Sequence, residues 1–339
     1  MKKLFFYLVM TIIAIGLIGC SNSDDNNDAS RDSEETYIIK AGHAASPDLY
    51  LQDSFEEFKE IIEDKSDGRL EMEIYPNGEL GGEREMIEST QIGDVQMTVP
   101  SSAPLASFSD SMLVWDVPFL FEDFDMAHDV LDGDIGQEVL DDIEDKELIG
   151  LGYWENGFRH LFNSKKPVEN IDDMNGLKIR TLENPMQIKA WEETGANASP
   201  LDFTELYAAL QQGTVDGAEG PAALTHSMKF YEVQDYFTLT SHAYSPWPVV
   251  FNKEFFEGLP EDLQRIIVEA EEEVRESNRE MSQESEEEAL QALEDEGMEV
   301  IELSDAEKEE FKEKMQVIND QIKEEVDTNL FDELMSQVE

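Results

Sequence analysis

Segments that alternate polar and apolar residues are followed by segments with helical spacing along most of the chain. Thr36 to Ala41 and Arg69 to Tyr75 alternate as strands do, and between them Phe55, Phe58 and Ile62 recur at helical spacing. A Pro-Asn-Gly sequence at 76–78 then marks a turn. The pattern predicts a strand-helix-strand unit at the start of the folded part.

The same alternation continues toward the middle of the chain. We predict helices at Glu83 to Ile92 and Ala127 to Leu140, and strands at Val95 to Val99, Leu148 to Trp154 and Phe158 to Asn163. Val114 to Phe121 is too apolar for a loop and too short for a helix, so we expect buried backbone there. Regular alternation of strands and helices is typical of an α/β fold with mainly parallel sheets.

The second half of the chain adds a long amphipathic helix. A strand at Leu177 to Thr181 precedes helices at Pro185 to Thr194 and Thr204 to Gln212. Glu261 to about Asp295 has apolar residues along one face and glutamates elsewhere, which predicts a single long helix. A strand at Met298 to Leu303 follows, and Ser304 to Glu307 matches a capping box that opens a final helix.

Two arginines are candidates for binding an anion. Arg180 ends its predicted strand, and a side chain at the C-terminal end of a parallel strand points into the crevice where open α/β sheets bind ligands. Its planar guanidinium suits a carboxylate, and the alternative is a structural ion pair with one of the many acids. Arg159 follows a glycine turn between aromatic residues, where cation-π packing is the alternative. Spacing alone does not place the two in one site.

The N-terminus has the pattern of an export signal. Lys2 and Lys3 precede an apolar run from Leu4 to Ile18, which is shorter than a membrane span but typical of a secretory signal. The run closes on Leu-Ile-Gly-Cys at 17–20, similar to a bacterial lipobox, so we predict a signal peptide at 1–19 and a lipid on Cys20. Cys20 is the only cysteine, which excludes internal disulfides. Residues 20–35 are polar and predicted to be a disordered tether.

The charge of the chain limits its partners. Its formal net charge is −55, so nucleic acid and anionic lipid surfaces are repelled. With 40% hydrophobic residues the chain is nevertheless globular, and we interpret the acidity as a solvated surface adapted to high external salt or alkaline pH. The five histidines lack metal-binding spacing, and no nucleophile elbow or phosphate loop is present. We therefore expect binding rather than catalysis, with no metal and no cofactor.

Several ordered motifs carry a resemblance to a known family. From about Tyr37 to the last helix the chain resembles the extracytoplasmic solute-binding proteins of tripartite ATP-independent periplasmic (TRAP) transporters, of the dicarboxylate type (DctP). The motifs are YPNGELG at 75–81, GDV at 93–95, VPFLF at 117–121, NGFR at 156–159, GLKIR at 176–180, FTELYAALQ at 203–211, VDGAE at 215–219 and LPEDL at 259–263.

The resemblance implies a fold and a site. The fold is a two-domain, type II-like periplasmic-binding-protein fold with a hinge and a long helix spanning both domains. Its domains would be 36–157 plus 246–285 and 158–245 plus 286–335. The family's main carboxylate ligand falls on Arg180, and the other ligand-binding positions fall on Arg159, Phe203, His43, Glu83 and Ser101. The family often has asparagine where Gly220 stands, and polar residues that contact sugar acids in some members are replaced by Ser101 and Pro104. Sialic acid is therefore not expected.

Three aromatic residues are assigned to the specificity face by position only: Trp154, Tyr244 and Trp247. For each, core or lip packing is the alternative. We expect an extracytoplasmic, lipid-anchored monomer without enzymatic activity that delivers an organic acid to the small and large membrane subunits of a TRAP transporter. The alternatives are a sensory lipoprotein that feeds a receptor kinase, an anchored hydrolase, or a purely structural lipoprotein.

Overall fold

A computed structural model describes residues 35–338 of the protein, in which nine strands form a single sheet. The strands are β1 (Tyr37–Gly42), β2 (Leu70–Tyr75), β3 (Met97–Thr98), β4 (Leu148–Asn163), β5 (Lys178–Thr181), β6 (Asn197–Pro200), β7 (Gly217–Gly220), β8 (Tyr236–Asn252) and β9 (Glu299–Glu302). The helices are α1 (Tyr50–Lys65), α2 (Glu83–Gln91), α3 (Ser102–Leu105), α4 (Phe124–Leu131), α5 (Asp134–Asp141), α6 (Pro185–Glu193), α7 (Leu206–Gln211), α8 (Ala222–Ser227), α9 (Lys253–Gly258), α10 (Glu261–Asp295), α11 (Asp305–Met315), α12 (Asn319–Glu325) and α13 (Thr328–Val338).

The two longest strands lie at the centre of the sheet and run antiparallel. The strand order is β2-β1-β3-β8-β4-β7-β5-β6, with β9 also paired to β8. Outside the central pair, β1 is parallel to β2 and β3, and β5 is parallel to β6 and β7. The predicted mixture of strands and helices is present, but the sheet is mixed because β4 and β8 cross it from opposite directions.

The strand β4 replaces two strands that the sequence suggested. Gly157 has a φ of 99°, and the β4–β8 register shifts between Glu155 and Gly157. A glycine in this conformation allows a bulge, so the strand bends and continues rather than ending. The domain boundaries predicted after residues 157 and 245 lie opposite each other here, since Gly157 pairs with Ser245. The division itself stays a prediction.

Each face of the sheet has its own hydrophobic cluster. Consecutive β4 residues belong to different clusters, as the alternation of a strand requires: Trp154 and Phe162 lie in one, Tyr153 and Leu161 in the other. Helices α1 and α10 complete the first cluster, and α4, α5, α6 and α11 contribute to the second. The long helix α10 contacts α1, α8 and β4, so it packs against elements from both predicted domains.

Several boundaries refine the sequence predictions. The predicted helix at Ala127 to Leu140 is two helices, α4 and α5, with Gly133 as the N-cap of the second. The capping box at Ser304 is confirmed, because its hydroxyl accepts from Glu307 N and Glu307 accepts from Ser304 N at 2.8 Å. Val114 is fully buried, as predicted for that apolar segment. Two helices, α12 and α13, follow the helix that we expected to be final.

The predicted signal peptide, Cys20 and nearly all of the predicted tether lie outside the described residues. Among the helices of residues 35–338, none has the length and apolarity that crossing a bilayer requires. Within the same range, no group of three or more His, Cys, Asp or Glu side chains is arranged to hold a metal ion.

Candidate functional site

A small cavity lies at the ends of β1 and β3, which are parallel, and of β5, which runs in the opposite direction. Ala44 and Ala45 follow β1, Val99 and Ser101 follow β3, and Leu182 follows β5. The remaining lining residues are Leu51, Glu83, Asn156, Arg159, Phe203, Leu224 and Trp247. Ligand sites of open α/β sheets occur outside the carboxyl ends of the strands. The cavity therefore has the place of a ligand site.

Arg180 is buried beside this cavity without an acidic partner. It is 1% exposed, its Nε donates to Leu201 O at 2.8 Å, and its guanidinium carbon lies 5.8 Å from the ring centre of Phe203, which lines the cavity. Its Nη atoms make no hydrogen bond to any described residue. The predicted alternative, a structural ion pair, is wrong for this arginine.

Arg180 differs from the other described arginines in having no carboxylate oxygen within 4.0 Å. Each of the other six arginines at residues 35–338 has a carboxylate oxygen within 4.0 Å: Arg69, Arg84, Arg159, Arg265, Arg275 and Arg279. Burial lowers the pKa of Arg180 to about 10, an effect that the carboxylates of Glu219, Glu83 and Asp202 oppose from beyond 4.0 Å. The group stays cationic at neutral pH, and a buried cation without a partner is costly. An anion in the cavity would remove that cost.

Arg159 lines the cavity but is already paired. Its Nε and Nη2 both donate to the carboxylate of Glu219, the latter at 2.9 Å, and Nη2 also donates to Glu219 O at 2.9 Å. Burial opposes ionisation of Glu219, but the adjacent Arg159 outweighs burial and holds the pKa of that carboxyl well below its usual range. His242 Nε2 lies 3.4 Å from the same carboxylate. The pair is thus a buried ion pair, and cation-π packing is not its role.

Glu83 and Ser101 form a second polar group on the cavity wall. Glu83 Oε1 accepts from Ser101 N at 2.7 Å and from Ser101 Oγ at 2.9 Å. Burial raises the pKa of Glu83, while the two bonds from Ser101 and the charge of Arg180 oppose that rise. The two charges influence each other, yet no oxygen of Glu83 lies within 4.0 Å of the guanidinium. Glu83 Oε2 has no hydrogen-bond partner among the described residues.

Phe203 and Trp247 supply the aromatic part of the wall. Phe203 packs edge-on against Phe230, with ring centres 6.1 Å apart, so its orientation is held from behind. Of the other two aromatic residues assigned to the specificity face, Trp154 packs in the core against Phe55 and Phe58. Tyr244 packs against Phe121, Phe124 and Phe158. Neither lines the cavity.

His43 does not reach the cavity wall. It is fully buried, its Nε2 lies 2.9 Å from Gln52 Oε1, and its ring centre lies 4.8 Å from that of Phe55. Burial lowers its pKa to about 4, so the ring is neutral at physiological pH. Its neighbours Ala44 and Ala45 line the cavity instead. The structure thus places the His43 side chain in the packing of α1.

Gly220 borders the cavity and leaves space there. A Cβ built on it would lie 3.9 Å from Arg159 Nη2 and 3.9 Å from Leu224 Cδ2, both of which belong to lining residues. These are ordinary van der Waals distances, so the backbone could carry a side chain. The asparagine expected by resemblance is absent, and nothing in the packing of residue 220 excludes it.

Two residues of the site were not singled out from the sequence. Asn156 lines the cavity, and its Oδ1 is buried without a partner among the described residues, while Nδ2 donates to Ser245 Oγ at 3.4 Å. Glu219 neutralises Arg159. Asn156 belongs to the NGFR motif and Glu219 to the VDGAE motif, and these motifs were the sequence features that could have pointed to both residues as part of the site. The pairing of Arg159 with Glu219 was not visible, because 60 residues separate them along the chain.

A wider cleft lies between the start of α1, α8 and α10, with a volume of about 420 Å³. Its charged residues include Lys229 and Glu288, which are exposed to solvent. Exposed charges are well solvated and gain little from an ionic ligand. The smaller cavity beside Arg180 is therefore the better candidate site.

Comparisons with known proteins agree with this geometry. Residues 41–325 match the family described as bacterial extracellular solute-binding protein, family 7 (DctP). The 2,3-diketo-L-gulonate-binding periplasmic protein YiaO of Escherichia coli K12 is 38% identical over 244 residues, which are 72% of this chain and 74% of YiaO.

Two solved structures are also similar. The sugar acid binding protein DctPAm of Advenella mimigardefordensis strain DPN7T, in complex with galactonate, has a TM-score of 0.88 at 35% identity, covering 90% of this chain and 98% of its own. A TRAP periplasmic solute-binding protein of Sulfurospirillum deleyianum DSM 6946, with bound succinate, has a TM-score of 0.85 at 30% identity, covering 90% and 100%. The predicted α/β, two-domain, type II-like fold class is confirmed.

Proposed function

The chain belongs to family 7 of the bacterial extracellular solute-binding proteins, and we propose that it captures a small organic acid outside the cell for a TRAP transporter. The family resemblance seen in the motifs is confirmed. The family consists of solute-binding transport proteins and not of enzymes.

One observation carries the proposed site: Arg180 is buried beside the cavity, is cationic, and has no acidic partner among the described residues. A ligand carboxylate would supply that partner through charge-assisted hydrogen bonds to the two Nη atoms. Phe203, held against Phe230, would pack against the body of the ligand. Arg159 would brace the wall through Glu219 and could donate one further hydrogen bond from Nη1.

Capture would work by closure of two domains around the ligand. The lining residues come from both predicted domains, for example Glu83 and Ser101 from the first and Arg159 and Phe203 from the second. A ligand that contacts both domains stabilises the closed state, and the closed state would dock on the membrane subunits. The strands β4 and β8 cross between the domains, so a hinge at Gly157 and Ser245 is the natural place for bending.

The location proposed for the protein is the outer face of the cell membrane. The lipobox-like sequence ending at Cys20 supports a lipid anchor, and the polar residues that follow support a tether. Replacing Cys20 with serine should release the protein from the membrane fraction, and a fatty-acid label should disappear with it. A serine variant that stays membrane-bound and labelled would contradict the anchor. The relatives support transport over the sensory alternative, which no feature of the described residues favours.

The test of the carboxylate site is calorimetric titration of the chain that lacks its predicted signal peptide. A panel of small carboxylates identifies a ligand, and Arg180→Lys should then weaken its binding at least about tenfold, because lysine cannot make the bidentate pair. Arg265→Lys is the matched control, since Arg265 is exposed and its ion pair within residues 35–338 is with Glu269 one turn away. Equal affinity of the Arg180 variant and the wild type would reject the assignment.

A further inference from the structure

Two short segments, one from each predicted domain, meet at the edge of the cavity. Gly82 directly precedes Glu83, and Asp202 directly precedes Phe203, and both Glu83 and Phe203 line the cavity. A Cβ built on Gly82 would lie 2.0 Å from Asp202 Oδ2 and 2.4 Å from Asp202 Cγ. Gly82 belongs to the first predicted domain and Asp202 to the second. The backbone of one predicted domain therefore lies directly against a side chain of the other.

A second glycine makes a similar contact. A Cβ built on Gly78 would lie 2.6 Å from Thr204 Cγ2. Gly78 has a φ of 69°, which by itself favours glycine, whereas Gly82 has a φ of −70°, which any residue adopts. At Gly82 it is the close approach of Asp202 that requires a glycine. We refer to Gly78, Gly82, Asp202 and Thr204 together as the glycine seam.

The glycine side of the seam is fixed to the first predicted domain. Gly78 N donates to His43 O at 3.1 Å, and Asn77 N donates to Ala45 O at 2.9 Å. Ala45 lines the cavity, so the turn that carries Gly78 is bonded to the cavity wall itself. Gly82 is the N-cap of α2, which holds its backbone at the start of a helix.

The other side of the seam is fixed to the arginine of the site. Leu201 O accepts from Arg180 Nε at 2.8 Å, and Leu201 directly precedes Asp202. Asp202 Oδ1 accepts from Thr204 N at 2.8 Å, so the carboxylate would have to break this bond to turn away from Gly82. The loop that touches the first predicted domain is thus the loop that orients the guanidinium of Arg180.

We propose that the glycine seam is the contact that completes closure of the two domains over the cavity, and that through Leu201 it holds Arg180 in position for a ligand carboxylate. The inference rests on the proposed function, because it requires that a ligand closes the domains at the same site. Asp202 and Thr204 do not line the cavity, so they act as positioning residues.

A side chain in the seam would keep the domains apart. Packed atoms do not compress, so a methyl group on Gly82 forces either Asp202 or the whole second domain to move back. Either movement disturbs the arrangement of Arg180 relative to the walls that the first domain supplies. The apparent affinity for a ligand falls with the fraction of the protein that reaches the closed state. The seam therefore sets the affinity of the site without touching the ligand.

The test is calorimetric titration of glycine variants with three carboxylates: succinate, galactonate and glucuronate. For whichever of them binds the wild type most tightly, Gly82→Ala should weaken binding at least about tenfold. Gly258→Ala is the matched control, because a Cβ on Gly258 meets no described atom within 4 Å and its backbone is not left-handed. Equal affinity of the Gly82 variant and the wild type would overturn the inference while leaving the proposed function intact.

A second pair of variants keeps the test decisive if Gly82→Ala does not fold. Gly78→Ala and Gly213→Ala share the strain of a left-handed backbone, with φ of 69° and 67°, but only the Cβ at residue 78 would meet Thr204. Gly78→Ala should therefore bind the same acid more weakly than Gly213→Ala does. Equal affinities of these two variants would also overturn the inference.

A rescue experiment assigns the effect to contact across the seam. Asp202→Ala removes the three atoms that a Cβ at residue 82 would meet within 3 Å, so adding Gly82→Ala to that variant should change the affinity less than about twofold. The comparison within the Asp202→Ala background cancels the loss of the Asp202 charge, which acts on Arg180. A tenfold loss in both backgrounds would place the effect outside the seam and overturn the inference. A wild type that binds none of the three acids would instead refute the proposed function, and the inference with it.

Discussion

A buried carboxyl on α10 tests the electrostatic reasoning most directly. Glu271 is fully buried, and neither of its oxygens has a hydrogen-bond partner among the described residues. Its nearest cation is Arg275, whose Nη2 lies 3.5 Å from Oε2. Gly152 of β4 lies directly against it, since a Cβ there would be 2.3 Å from Oε1. Burial raises the pKa of Glu271 from 4.5 to about 7, although Arg275 and Arg279 oppose the rise.

The effect of Glu271 on the stability of the protein follows from its pKa in the unfolded chain, 4.5, and its pKa in the folded protein, about 7. A carboxyl with a higher pKa in the folded state than in the unfolded chain holds its proton more tightly when folded. The stability of the protein is therefore unaffected below about pH 4.5, falls as the pH rises toward 7, and stays reduced above 7. At about 1.4 kcal/mol per pH unit, the full loss amounts to about 3 kcal/mol.

Replacing the carboxyl with a neutral amide should remove this loss. Glu271→Gln should raise the free energy of unfolding by about 3 kcal/mol at pH 8 and by less than about 1 kcal/mol at pH 5, measured by urea denaturation. Subtracting the wild-type value at each pH cancels the other titrating groups. Glu280→Gln is the control, because Glu280 is exposed on the same helix. An equal effect of the Glu271 variant at both pH values, or destabilisation at pH 8, would refute the reasoning.

Two further predictions concern packing and charge. Gly220→Asn should fold with a free energy of unfolding within about 1 kcal/mol of the wild type, because its added Cβ meets nothing closer than 3.9 Å. Gly217→Asn on the same strand should lose more than about 3 kcal/mol, because its Cβ would lie 2.1 Å from Phe162 O, and equal melting temperatures of the two variants would contradict this contrast. The melting temperature of the wild type should rise from low to molar salt, since a Debye length of ~3 Å at 1 M screens the repulsion within a chain of net charge −55. A melting temperature independent of salt would show that the acidic surface carries no such strain.

The pattern of apolar and polar residues was sufficient to predict those helices and strands whose formation depends on residues close together along the chain. The helix predicted at Glu261 to Asp295 has those bounds in the structure, because its apolar stripe repeats over many turns and leaves few alternatives. Strands β1 and β2 lie within a residue of their predicted positions for the same kind of reason. The strand β8 was not predicted. From Tyr244 onward it is buried on both faces and contains Pro246 and Pro248, so this part has neither the alternation nor the composition that predicts a strand.

The sequence by itself determined the class of fold, the strand that carries Arg180 near its end and the export-like N-terminus, since each depends on residues that are neighbours along the chain. Only the tertiary structure decided that Arg159 is neutralised by Glu219 and that His43 packs in the core. It also decided that Arg180 is buried without an acidic partner. Whether a charged side chain has an ion-pair partner depends on which groups the sheet brings together from distant parts of the chain. The pattern of residues along the sequence does not contain those distances.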